Sequence, residues 1–442
     1  MKQIKVGIIS LGCDKNRVDC ENMIGFLSQA FSIVTDASEA DVVIINTCAF
    51  IESATNESIE AVMDIAATAP EAKIIVTGCL PMRYPSIAEQ NLMPEVSAYL
   101  DNHHYTDIVE TVYNVLKGER VIRKNSTLHP VEASKDRVLT TPLHYAYLKI
   151  AEGCNNGCAY CAIPGIRGRY VSTPLEELVE EAERLIEQYG TQELILVAQD
   201  VTRYNHEGRG LMDLLDALEA LPVRTIRLMY CYPEMVTTEL LDRIEKSDKI
   251  AKYIDIPMQH AADSVLRRMR RRSTHASLVR VLDYIRQNTH IAVRSTFMVG
   301  FPGEREEDVD ELCAFLRKYR LEYAGFFPFY REEGTPAYEM DGQLPKKVKL
   351  SRLKRVETLQ SAIMREQAEA RIGKDVTVTC DTIDYDRGCF VGHAEFMHPE
   401  IDNKVYFTAD SPVETGGIYR VHINKVDHLD LVGKAIEEIT ND

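Results

Sequence analysis

No stretch of this 442-residue sequence approaches the ~18–20 consecutive apolar residues that a membrane helix needs. Its start, Met1-Lys2-Gln3-Ile4-Lys5, leads into a strand-like run with no secretory cleavage pattern, so a soluble cytoplasmic protein without a membrane partner is expected. An excess of positive charge is missing too. The 51 Lys and Arg stand against 68 Asp and Glu, a net charge of −17 that opposes general affinity for phosphate backbones and suits a basic partner. Without a secretory context the 11 cysteines are expected to be reduced thiols, which points to metal binding or catalysis rather than a disulfide framework.

Three of those cysteines, Cys154, Cys158 and Cys161, fall within eight residues. A structural zinc needs four protein ligands, and no further Cys or His follows Cys161 for forty residues. Three thiolates on one loop can instead hold three irons of a four-iron, four-sulphur cluster and leave the fourth iron open to a ligand.

The first 120 residues contain three β-branched runs, Val6–Ser10, Val42–Asn46 and Ile74–Thr77, separated by helical patterns. They read as buried parallel strands of an open α/β sheet. A cysteine follows each strand: Cys13, Cys48 and Cys79, spaced 35 and 31 residues apart. Parallel strands share one carboxyl edge, so the fold itself should gather these three thiols into a second, auxiliary cluster. Three unrelated buried cysteines would not explain three matching placements. Cys20 has no such placement and reads as a packed small residue.

Residues 121–141 lose periodicity and read as a linker. From 142 to 372 six strand candidates alternate with helices: Tyr145–Ile150, Glu193–Ala198, Thr225–Tyr230, Tyr253–Pro257, Ala292–Val299 and Tyr323–Phe329. Six βα units predict a partial (β/α)6 barrel with its site at the carboxyl ends of the strands. Thr173 is the expected N-cap of the helix after the cysteine loop, with Pro174 at its first position. Gln199, Gln259, Gly300 and Glu304 follow strands and would line the site, although each serves equally well as a cap or loop residue. The arginines between Arg267 and Arg272 read as a solvated face or an anion grip. Lys346–Arg371 is an amphipathic helix closing the barrel domain. Residues 373–442 switch to short strands and read as a small antiparallel β-barrel. Between Lys374 and Asp442 six Lys and Arg face fourteen Asp and Glu, which favours a basic protein over nucleic acid as its partner.

The three-cysteine loop, with Tyr160 before its last cysteine, resembles that of the radical S-adenosylmethionine (SAM) enzymes. The three-part layout extends the resemblance to the radical SAM methylthiotransferases, whose C-terminal barrel is of the TRAM type. Ser10 to Asp19, Asn46 to Ile51, Glu152 to Gly168 and Glu332 to Ala337 are similar to the RimO branch in particular. Members of the tRNA-modifying branch tend to carry Gln-Met-Asn after the first cysteine. Cys20 stands where serine is expected, and Arg331 where a small residue is expected.

That resemblance implies two 4Fe–4S clusters, one on Cys154, Cys158 and Cys161 and one on Cys13, Cys48 and Cys79. It also implies SAM, held with help from Tyr160, Gln199, Gln259, Gly300 and Glu304. The implied substrate is an aspartate of ribosomal protein S twelve, a basic protein, with an electron donor and a sulphur donor as further partners. Two alternatives stay open: a tRNA adenosine methylthiotransferase, and an iron–sulphur electron carrier or scaffold.

Overall fold

The computed structural model describes residues 3–124 and 134–439; Asn125-Ser126-Thr127 of the expected linker lie outside them. The N-terminal part is a parallel sheet of six strands, β1 (Lys5–Ser10), β2 (Ser32–Val34), β3 (Val42–Thr47), β4 (Lys73–Gly78), β5 (Val96–Leu100) and β6 (Val121–Arg123), in the order β2-β1-β3-β4-β5-β6. The three central strands coincide with the β-branched runs, because residues buried on both faces leave no polar alternation. The outer strands β2 and β6 are three residues long and carry no such signature. Each cysteine after a central strand opens onto a helix: α1 (Asp14–Ser28), α2 (Glu52–Thr68) and α3 (Cys79–Arg83).

The segment read as a linker is more structured than its composition suggests. Its first residues form β6, and Arg137 is buried, donating to Glu21 at 2.6 Å and Glu181 at 2.5 Å. Periodicity fades there because one ion-paired side chain, rather than an apolar stripe, holds the segment down.

The central part begins with β7 (Tyr145–Lys149), followed by the two-residue ribbon β8 (Ala151–Glu152) with β9 (Val171–Ser172), which ties together the ends of the cysteine loop. It continues through β10 (Glu193–Val197), a short ribbon of β11 (Asn205–His206) and β12 (Arg209–Gly210), then β13 (Thr225–Leu228), β14 (Ile250–Asp255), β15 (Ala292–Val299) and β16 (Tyr323–Pro328). The long strands pair in parallel in the order β16-β15-β14-β13-β10-β7, an open six-stranded barrel wall. All six were legible as strands within a few residues. The helix after the cysteine loop starts one residue later than expected, at Leu175, with Pro174 as its cap. Thr173 is not the cap, because its C=O accepts from Tyr204 OH, and the first helical bond runs from Leu178 N–H to Pro174 O. Helix Lys346–Glu369 packs along β16 and closes the wall.

The C-terminal part is a closed barrel of β17 (Asp375–Asp384), β18 (Cys389–Ala394), β19 (Val405–Thr408), β20 (Ile418–Asp427) and β21 (Asp430–Glu438). It is not wholly antiparallel: β19 and β21 pair in parallel and complete the closure. The last strand escapes sequence reading because Gly433 and the pair Glu437-Glu438 break its pattern.

This small barrel seals the amino-terminal end of the larger one. Its loop from Glu395 to Asp402 enters between the strand starts. There Glu400 accepts from Tyr145 at 2.9 Å, Tyr147 at 2.8 Å and Arg17 at 2.8 Å. Asp402 binds Arg294 at 2.5 Å and Tyr253 at 2.8 Å, while Arg227 donates to Glu395 O. His393 bridges Glu193 and Asp381. Several of the domain's fourteen acidic residues therefore neutralise partners inside the protein, and its outer face is less acidic than its composition.

Candidate active site

Register brings the first three cysteines to one edge. Ser10 pairs with Asn46, and Asn46 with Thr77, so the turns carrying Cys13, Cys48 and Cys79 leave the sheet side by side. Two glycines make their approach possible. Gly12 has φ +93°, and a Cβ there would meet Cys48 Cβ at 2.8 Å; Gly78 has φ +91°, and its Cβ would lie 2.5 Å from Thr47 O. Asn16 laces the turns together by donating to Leu11 O and Thr47 O, both at 2.9 Å, with Cys79 Sγ 3.7 Å from its Oδ1. Burial pushes the Cys79 thiol up to about 11 against the pull of Arg167, and Cys13 and Cys48 add to the rise. Cys48 is raised by burial as well.

The second triad sits above the barrel wall. Cys154 N–H donates to Gly168 O, Ala159 N–H to Met269 O, and Asn156 Nδ2 to Asp200 at 2.9 Å, so the loop is pinned on three sides. Cys158 Sγ shares a 2.5 Å hydrogen bond with Tyr232 OH and lies 3.8 Å from Arg271 Nη1, whose guanidinium stacks 3.8 Å over the Tyr232 ring. Burial lifts the Cys161 thiol to about 12, with Cys158 adding to the shift. Burial raises Cys154 in the same direction. Among the described residues no three Cys, His, Asp or Glu side chains close in on a single ion.

Between the triads lies a polar spine. The buried Arg167 donates to Asn16 Oδ1, to Asp19 at 3.1 Å and to Glu152 at 2.8 Å. Lys149 completes it, reaching Asp19 and, at 3.0 Å, Glu152. Burial would raise the Glu152 carboxyl, but Arg167 and Lys149 hold it well below the usual carboxylate range. A further staple, Arg83 with Glu332 at 2.7 Å, joins the end of α3 to the loop after β16.

The other expected site residues divide into two groups. Gln199 donates to Glu152 at 3.1 Å and buries an Oε1 that has no partner among the described residues; Gln259, with φ +71°, buries another. Tyr160 packs edge-on against Phe301. Gly300 and Glu304 bind each other: the glycine N–H donates to both carboxylate oxygens at 2.8 and 2.9 Å, and Arg352 donates to the same carboxylate at 2.8 Å. A Cβ at Gly300 would collide with the Lys349 side chain at 2.5 Å, so this glycine makes room for a helix. Of the basic run, Arg271 is buried against the cysteine loop, Arg268 binds Pro302 O and Asp341 O, and Arg267, Arg270 and Arg272 are exposed. Cys20, Cys231 and Cys313 are core residues.

Sequence reading passed over Tyr230 and Tyr232, at the end of β13. The strand-end rule that singled out Gln199 and Gln259 points to them equally. Tyr230 OH donates to Asp14 at 2.8 Å beside the first triad, while Tyr232 touches the second. It also passed over Asp255, buried at the end of β14, whose Oδ1 accepts no hydrogen bond among the described residues and lies 3.9 Å from Arg294 Nε; burial raises its carboxyl to about 6.

Residues 148–316 match the Radical SAM superfamily, 5–100 match an uncharacterized protein family, UPF0004, and 372–436 match the TRAM domain. The chain is 40% identical over 440 residues, 97% of its own length and 99% of the relative's, to the ribosomal protein uS12 methylthiotransferase RimO of Desulforamulus reducens. The chain belongs to the RimO family. The RimO proteins of a Thermoanaerobacter species and of Acetivibrio thermocellus are 39% and 40% identical to it over 97% and 98% of its length, covering 99% of each relative. Among solved structures, the radical SAM methyltransferase TsrM of Kitasatospora setae shares the fold, with a TM-score of 0.56 at 14% identity over 76% of this chain and 74% of that one. This RimO family member is therefore a radical SAM methylthiotransferase, with the iron–sulphur clusters and SAM that its family implies. Among the described residues no helix is long and apolar enough to cross a membrane.

Proposed function

We propose that this chain replaces a β-carbon hydrogen of an aspartate in ribosomal protein uS12 with SCH3. The observation that carries the reading is the pair of three-thiol edges held in fixed relation by Arg167, within a chain matched end to end by uS12 methylthiotransferases. The donor sets fit the groups the family implies. Each edge offers three thiols and, among the described residues, no fourth Cys, His, Asp or Glu gathered with them, which suits a cluster with one open iron. The buried amide oxygens of Gln199 and Gln259, without a hydrogen-bond partner among the described residues, are acceptors suited to the ammonium, hydroxyl and amine donors of SAM.

Cys154, Cys158 and Cys161 would hold the cluster that works with SAM, and Cys13, Cys48 and Cys79 the auxiliary one. When bound, these groups supply homolytic cleavage of SAM, sulphur for insertion and a methyl group from a second SAM. The chain's own residues do the positioning. Tyr232 and Arg271 fix Cys158, Asn156 fixes the loop against Asp200, and the Glu395–Asp402 loop closes the barrel floor to water. Electrons and the inserted sulphur must come from outside, so an electron donor and a sulphur donor are required partners. Residues 1–120 would serve sulphur insertion, 142–372 the SAM chemistry and 373–442 the floor and the outer contacts, all in the cytoplasm where ribosomes are found.

The test is to incubate reconstituted enzyme with SAM, reductant and sulphide, offering ribosomes in one arm and tRNA in the other. The SCH3 mass is expected on uS12; its appearance on tRNA alone would overturn the reading.

A further inference from the structure

We propose that Lys15 receives the carboxylate of the substrate aspartate and so selects aspartate over its uncharged analogues; this inference rests on the uS12 reading above. Lys15 lies in the first turn of α1, two residues beyond Cys13, and is 7% exposed. Its Nζ stands 3.5 Å from the centroid of the Tyr230 ring and has no hydrogen bond or ion pair among the described residues.

That makes it an exception. The other buried cations are all partnered: Arg137 by Glu21, Arg167 by Glu152 and Asp19, Arg227 by Glu193, Arg352 by Glu304, and Arg271 by Pro257 O. An ammonium withdrawn from water without an anion costs several kcal/mol, and an aromatic face returns about 2 of them at best. Arg271 comes nearest to it, lying over the Tyr232 ring, but donates to Pro257 O; of the buried lysines and arginines among the described residues Lys15 has no acceptor, which leaves a place for an anion from outside. Two neighbouring carboxylates do not fill it. Asp14 accepts from Tyr230 OH, and Asp255 accepts from Tyr230 N–H at 3.0 Å, with neither within ion-pair distance of Lys15.

The position suits the chemistry. Tyr230, beneath the ammonium, belongs to the same turn as Tyr232, which touches Cys158, while Lys15 follows Cys13. An aspartate carboxylate on Lys15 would bring the adjoining carbon to the region between the two thiol edges, where hydrogen is removed and sulphur added. The cation also compensates the desolvation of that carboxylate, which an amide would not need.

The test uses the reconstituted full-length holoenzyme and two synthetic peptides of the uS12 loop, one with the target aspartate and one with asparagine there. Binding is read by fluorescence anisotropy and turnover by KM and kcat. Wild type is expected to bind the aspartate peptide at least ~10-fold more tightly, Lys15→Met to bind the two alike, and Lys15→Arg to keep part of the preference. Iron content and melting temperature report whether each variant is folded and loaded. Equal binding of the two peptides by wild type overturns the inference without recourse to any variant, as does an undiminished preference in Lys15→Met. Neither outcome touches the uS12 reading, which falls only if wild type modifies tRNA and no protein.

Discussion

Arg167 donates to Glu152 at 2.8 Å, joining the end of the short helical turn Ile163–Arg167 to the residue two before Cys154, with both side chains nearly sealed from water. The same guanidinium reaches Asp19 and Asn16 on α1, so one side chain sets the distance between the two thiol edges. Replacing it by methionine leaves Glu152 and Asp19 with Lys149 as their one remaining cation. Arg167→Met should destabilise the protein by about 3–5 kcal/mol, as loss of one partner from a buried pair does. Urea denaturation of the unloaded chain measures this. Arg167→Lys should recover only part of it, because an ammonium does not reproduce the fork.

The two triads should be separable. Cys48→Ala should abolish methylthiolation while 5′-deoxyadenosine is still formed from SAM, whereas Cys158→Ala should stop both. Each should leave about four of roughly eight irons per chain. Equal loss of both activities in the two variants would contradict separate roles.

Gly12→Ala tests the packing of the first edge. At φ +93° the added Cβ meets Cys48 Cβ at 2.8 Å, so the variant carries about 1–3 kcal/mol of backbone strain and displaces the turn that carries Cys13. Iron bound at the first edge should fall at least severalfold, with iron at the Cys154 loop retained. The spectroscopic signature of the auxiliary cluster should fade first.

A pH effect is expected where the two barrels meet. Burial disfavours the charged form of His393, but Asp381 and Glu193 more than reverse this and raise it from 6.5 to about 9. A histidine raised on folding contributes stability that is fully present below about pH 6.5 and is lost as pH rises through 9, on the order of 3 kcal/mol in all. Asp381, whose carboxyl is held low by His393 and His144 against burial, withdraws its share at the acid end instead. Thermal melts from pH 6 to 10 should show the decline, and His393→Gln should flatten it.

The strands and cysteines were legible because both carry local signatures: β-branched runs buried on two faces, and thiols at a repeated offset from strand ends. What escaped was non-local. Arg137, Arg167 and Glu400 sit in polar sequence that resembles loop or surface, and only the fold reveals that the two arginines are buried, the glutamate half-buried, and each bonded to partners at least 15 residues away. Gly300 and Glu304 illustrate the converse. They stand at a strand end, where ligand contacts gather, yet they spend their polar groups on each other and on Arg352. Lys15 showed no sign in sequence beyond following Cys13, since a lysine without a partner is recognisable only once its surroundings are known.

The loop from Glu395 to Asp402 has a further consequence for how the protein is made. It supplies Asp402 to Arg294 and Glu400 to Tyr145 and Tyr147, side chains that are synthesised at least a hundred residues earlier. A chain still emerging from the ribosome therefore carries a nearly complete parallel wall whose inner arginine and tyrosines wait for their partners. Folding of the wall can close only once residues 395–402 have been made, which makes this late loop the step that commits the whole barrel.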